Sequence, residues 1–150
     1  MDMMAQLQSR NSTEVYQFLQ LLERESEESD SLYGSLDDFL SLLKDKSSLA
    51  RTRGFRLICA QARWDRDGWI GAHLEELLST LDGEKATAVR QDLAALHQVV
   101  RFLPELGPQI GKKLDGIDLS KEKESMAPLL QRDIRELRNL IQEEKACENG

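Results

Sequence analysis

Three apolar stripes recur along this chain at an interval of about 37 residues, and that interval narrows the folds open to it more than any other feature. Leu36, Phe39, Leu40 and Leu43 make the first stripe. Leu74, Leu77, Leu78 and Leu81 make the second, and Ile110, Leu114 and Ile117 the third. Steps of three and four place each set on one helix face. A longer helical segment follows each stripe, from Ser48, from Glu84 and from about Ser125. One helix pair cannot bury such a face alone, so neighbouring pairs must stack. Stacked helical repeats bind partners more often than they perform chemistry.

The spacing predicts three helix pairs over residues 31–144. They are Leu32–Lys44 with Ser48–Arg63, Trp69–Leu81 with Glu84–Leu103, and Glu105–Ile117 with about Lys121–Glu144. Pro104 stops the second pair because proline lacks the amide donor and disfavours helix in the residue before it. Pro128 either sits in the first turn of a helix starting near Ser125 or kinks that helix. Ahead of the pairs, Asn11-Ser12-Thr13-Glu14 is a helix-start signature. Val15, Phe18, Leu19 and Leu22 then form one apolar face. This helix reads as an N-terminal cap, shielding the stack's end. Residues 1–10 read as a frayed start. The run Glu25-Ser26-Glu27-Glu28-Ser29-Asp30 reads as a solvated acidic linker, or as a tether that docks on the chain's own basic residues. Residues 1–30 thus form a cap helix with its linker, and residues 145–150 a disordered tail.

The fold class is all-α, since few runs alternate with period two and only three prolines interrupt the helix formers. A net charge of −7 argues against nucleic acid and anionic membrane as partners. Cys59, in an apolar stretch, and Cys147, in a polar one, read as reduced thiols of a cytoplasmic protein. No signal peptide or membrane span is expected.

Glu84-Lys85-Ala86-Thr87-Ala88-Val89-Arg90 places an acid five residues before Val-Arg. That resembles the second-helix entry of HEAT repeats, in which the acid and the arginine pair between neighbouring repeats. Thr52-Arg53 holds the equivalent place in the first pair, with Ser47 where the acid would be. Glu122 and Ala127-Pro128 hold it in the third, without the arginine. Longer strings are Arg53-Gly54-Phe55, Ala62-Arg63-Trp64-Asp65, and Ser125-Met126-Ala127-Pro128-Leu129-Leu130. They resemble a group of small HEAT-like helical-repeat proteins of Gram-positive gut bacteria, often labelled "SufBD protein". The resemblance implies an α-α superhelix of HEAT/armadillo-like helix pairs and no known activity. Despite the label, the chain lacks the cysteine and histidine spacing of cluster ligands.

The leucine stripes read as core, with an exposed groove as the alternative. Polar residues opposite them are therefore the candidates for function. Arg90, His97 and Arg101 share a face of the second-pair helix. Arg56 and Arg63 do so in the first pair, and Arg135 and Arg138, with Gln131 and Gln142, in the last. Together they form a candidate partner-binding strip for an acidic peptide segment, since guanidinium groups suit carboxylates. The competing reading pairs these arginines with neighbouring carboxylates. Arg53 and Arg90 read as inter-repeat pairs. Trp64 and Trp69 bracket a turn in which Asp65 or Asp67 caps the next helix.

No catalytic residue, cofactor or metal site is expected. His73 and His97 lie on different helices without companion ligands, and no phosphate-binding glycine loop occurs. The leading expectation is a non-catalytic protein-protein interaction module or scaffold, with a homodimer through the stack's end as a further possibility. The rival is an enzyme of the helical-repeat DNA glycosylase type. Acidic charge and an aromatic content of 5% count against it.

Overall fold

The computed structural model describes residues 2–149, with side chains through Cys147. Eight α-helices occur among these residues, and no strand. They are α1 (Met3–Leu7), α2 (Ser12–Glu28), α3 (Leu36–Leu42), α4 (Ser48–Ala60), α5 (Trp69–Ser79), α6 (Ala86–Phe102), α7 (Gly107–Asp115) and α8 (Ala127–Asn149). One layer runs α2, α4, α6, α8, each helix packed along the next. The other helices line up behind it. Trp69 Nε1 on α5 donates to Asp37 on α3, and Lys113 on α7 reaches Asp82 just after α5.

The repeat interval reappears in hydrogen bonds. Gln8 bonds Asp45, 37 residues on, and Ser48 bonds Glu84, 36 residues on. Ser26 and Gln61 are 35 residues apart, and Asp30 and Arg66 are 36 apart. By this register α2 is equivalent to α4, so α1 and α2 form a leading pair whose first helix is a single short turn.

The apolar stripes are core. Phe39, Leu74, Leu77, Leu93, Leu96 and Ile110 are all fully buried. Each such side chain contributes roughly 1.5–3 kcal/mol relative to exposure. Helix α3 lies so close to α4 that a Cβ at Gly54 would stand 2.7 Å from the Leu42 Cβ. Gly68, at φ 71°, occupies the left-handed region just before α5. Asp65 caps that helix, accepting from the Trp69 and Ile70 amides at 3.0 and 2.9 Å. Pro128 falls in the first turn of α8, where its missing donor costs nothing.

Three expectations about the ends are corrected. Residues 25–28 are the last turn of α2 rather than a linker. Ser26 is buried there, accepting from Gln61 Nε2, while its carbonyl accepts from Trp64 Nε1. Leu7, read as part of a frayed start, is buried in the core. Helix α8 continues past Glu144 to Asn149, so residues 145–149 are helical; Gly150 lies outside the described residues.

Candidate functional site

The α2–α4–α6 layer holds a cleft of about 410 Å³ between its helices. Helix α2 supplies Ser12, Tyr16 and Leu19. Helix α4 supplies Leu49, Thr52, Arg53 and Arg56, and α6 supplies Gln91. Two apolar side chains stand out on this rim. Tyr16 is 52% exposed and Leu49 is 49% exposed. Both lie one position away from core residues, Val15 and Ala50, and so point off the apolar stripe of their own helix.

Two arginines flank them. Arg56 donates through Nε and Nη2 to the two Glu23 oxygens, and through Nη1 to Gln91 at 3.0 Å. Arg53 is buried, and its Nη1 donates to the carbonyls of Leu7 and Ser9 at 2.9 and 2.8 Å. It thereby closes the C-terminal end of α1, where helix carbonyls lack partners. Burial lowers the Arg53 pKa from its ordinary value. No Asp or Glu lines the cleft.

Of the expected strip, only Arg56 lines this cleft. Arg63 donates to the Glu27 carbonyl and lies 4.7 Å over the Phe102 ring. Arg90 pairs with Asp133 of α8 at 2.6 Å, and that hydrogen bond raises its pKa. His97 is half-buried near Glu136, Asp133 and Arg101, with its pKa lowered chiefly by burial. Arg101 is exposed.

Arg135 and Arg138 belong to a different surface. With Gln131 and Gln142 they line a second cleft against Leu114, Ile117 and Leu119, where Arg138 pairs with Asp115 at 2.6 Å. Arg56 thus lines one cleft and Arg135 and Arg138 another, and Arg56, Arg90 and Arg138 already hold carboxylates. Helical spacing shows which side chains share a face, but not which acid from the next helix meets them.

The acid-to-arginine pair expected from the resemblance does not form between Glu84 and Arg53. Glu84 accepts from Arg51 and Ser48 of the preceding pair, not from Arg53. Trp64 is an edge residue bonded to the Ser26 carbonyl, and Trp69 stacks on His73 at 4.0 Å. Tyr16 and Leu49 lie outside the arginine-bearing faces that the sequence singles out. Their signal was an apolar residue on an otherwise polar helix face.

Among the described residues no group of three or more His, Cys, Asp or Glu side chains is placed to hold a metal ion. Among the same residues no helix is long and apolar enough to cross a membrane. The chain matches no family model, no curated protein and no solved structure.

Proposed function

We propose that the chain is a non-catalytic interaction module, a short stack of HEAT/armadillo-like helix pairs forming an α-α superhelix. Its α2–α4–α6 face receives a segment of a protein partner. The carrying observation is the placement of Tyr16 and Leu49. Four large apolar side chains stand exposed among the described residues, and these two flank the same cleft. An exposed aromatic beside an aliphatic and an arginine is the composition of an interface hot spot. The lining offers hydroxyl and guanidinium groups without a histidine or carboxylate to activate them, which supports binding over chemistry.

A photo-crosslinking amino acid at Leu49 tests this in extract of the native host, with the same probe at Glu75, on α5, as control. A protein captured only through Leu49 is then purified and its binding measured directly. Loss of that binding in the Tyr16→Ser, Leu49→Ser double variant is the expected result. Equal capture from both positions, or binding indifferent to the double variant, overturns the proposal.

A further inference from the structure

Arg53 carries a positive charge into the cleft wall without a negative one beside it. The residue is only 6% exposed. Both of its hydrogen bonds use Nη1 and end on neutral carbonyls. Nε and Nη2 donate to no atom of the described residues, and no carboxylate of those residues comes within ion-pair distance. Arginine does not escape this by losing its proton. The Nε and Nη2 atoms are not among the buried polar atoms that lack a partner, so this edge stays open to the cleft, with no acid of the described residues holding it. The neighbouring arginines of this layer have one: Arg51 holds Glu84, Arg56 holds Glu23 and Arg90 holds Asp133.

The surroundings favour an anion as well. Ser12 begins α2, and Leu49 lies in the first turn of α4, so two helix N-termini with their positive dipole ends border the cleft. The absence of any acid from the lining is informative in a chain of net charge −7. The free Nε–Nη2 edge of a guanidinium presents two parallel donors, the geometry that a carboxylate accepts side-on. An inorganic anion would satisfy Arg53 yet leave Tyr16 and Leu49 uncovered.

Building on the partner-segment reading above, we infer that the cleft takes an acidic peptide segment. One Glu or Asp carboxylate meets the free edge of Arg53, and the adjoining apolar side chain lies between Tyr16 and Leu49. Arg56 stays with Glu23 and forms the cleft's far wall.

Fluorescence anisotropy tests this with a fluorescein-labelled short peptide in which Glu alternates with Phe and Leu, beside its Gln-for-Glu counterpart. The acidic peptide should bind at least about tenfold more tightly than the Gln peptide. Arg53→Lys should reduce that preference, because the ammonium keeps the charge and loses the fork. Should the Arg53 variant fail to fold, the ¹⁵N-resolved Nε–H signal of Arg53 in the unsubstituted protein gives the same answer. It should shift with the acidic peptide and stay in place with the Gln peptide.

Equal affinity for both peptides, lost in the Tyr16→Ser, Leu49→Ser variant, overturns the carboxylate assignment and leaves the partner cleft standing. An Arg53 signal that moves with inorganic phosphate but with neither peptide overturns the peptide proposal in favour of a small-anion site. No binding and no shift with any of these probes overturns it outright, while the crosslinking at Leu49 decides the partner reading separately.

Discussion

Arg56 on α4 grips the carboxylate of Glu23 on α2 with two hydrogen bonds, at 3.0 and 2.7 Å, across 33 residues of sequence. The geometry is a guanidinium fork closed on a carboxylate, and both side chains are mostly shielded from water. The pair stitches the leading helix pair to the first complete one. It also cancels an arginine charge beside the cleft that holds Arg53, leaving Arg53 as the guanidinium available there.

Glu23→Gln therefore has two consequences of opposite kind. Stability should fall by about 1–2 kcal/mol, between the values of an exposed pair and a fully buried one. Urea unfolding followed by far-ultraviolet circular dichroism measures this. Affinity for the acidic peptide should rise, because Arg56 is freed to join Arg53. A variant that loses stability without any gain in peptide affinity would show that Arg56, once freed, does not reach the peptide's carboxylate.

Gly54 marks the closest approach of α3 to α4. A Cβ there would meet the Leu42 Cβ at 2.7 Å and the Phe39 carbonyl oxygen at 2.8 Å. In an open helix, replacing glycine by alanine stabilises by roughly 0.5–1 kcal/mol through backbone entropy. Here overpacking, at about 1–3 kcal/mol, outweighs that gain. Gly54→Ala should lower Tm, and Gly54→Val should lower it further. A Tm at or above that of the unsubstituted protein would mean that the two helices can part without cost.

Asp65 holds three donors at once: the amides of Trp69 and Ile70 and the hydroxyl of Tyr33 at 2.8 Å. It caps α5 and ties that cap to the turn before α3. Asp65→Ala should cost about 1–2 kcal/mol, the upper range for a cap, since two amides lose their acceptor together. Burial and the Asp65 hydrogen bond also push the Tyr33 phenol up to about 12. Asp65→Ala should bring it down, which the phenolate absorbance at alkaline pH reads directly.

The helical layout was legible because Leu36, Phe39, Leu74, Leu77, Ile110 and Leu114 repeat at spacings set by helix geometry alone. What was not legible depends on pairs formed between repeats. Ser26 looks like a solvated residue in an acidic run. It is buried because Gln61 and Trp64, 35 and 38 residues further on, take up its hydroxyl and carbonyl oxygens. Arg90 and Arg135 share the arginine-bearing faces in sequence terms, but Asp133 claims the first while the second lines the surface beside α7. Arg53 reads as half of a rung. Its missing acid, with Ser47 in that place, was the one sequence sign that its charge would go uncompensated.

Asp92 on α6 supplies the pH dependence. It is 2% exposed, and its Oδ1 has no hydrogen-bond partner. Burial first, and the nearby Glu84 second, push its pKa up to about 8, with Arg56 opposing. The pKa of Cys59 on α4 is raised by burial and then by the charge of Asp92. In the unfolded chain the carboxyl returns to about 4. Between these values the folded state binds more protons than the unfolded one. The contribution of this group to stability is therefore full below about pH 4 and falls by about 1.4 kcal/mol per pH unit as pH rises toward 8, with no further loss from it above that. Asp92→Asn removes the ionisation and should flatten that slope, leaving the variant more stable than the unsubstituted protein at pH 8. Urea midpoints collected from pH 5 to pH 9 for both proteins test the argument, and parallel pH profiles would sink it.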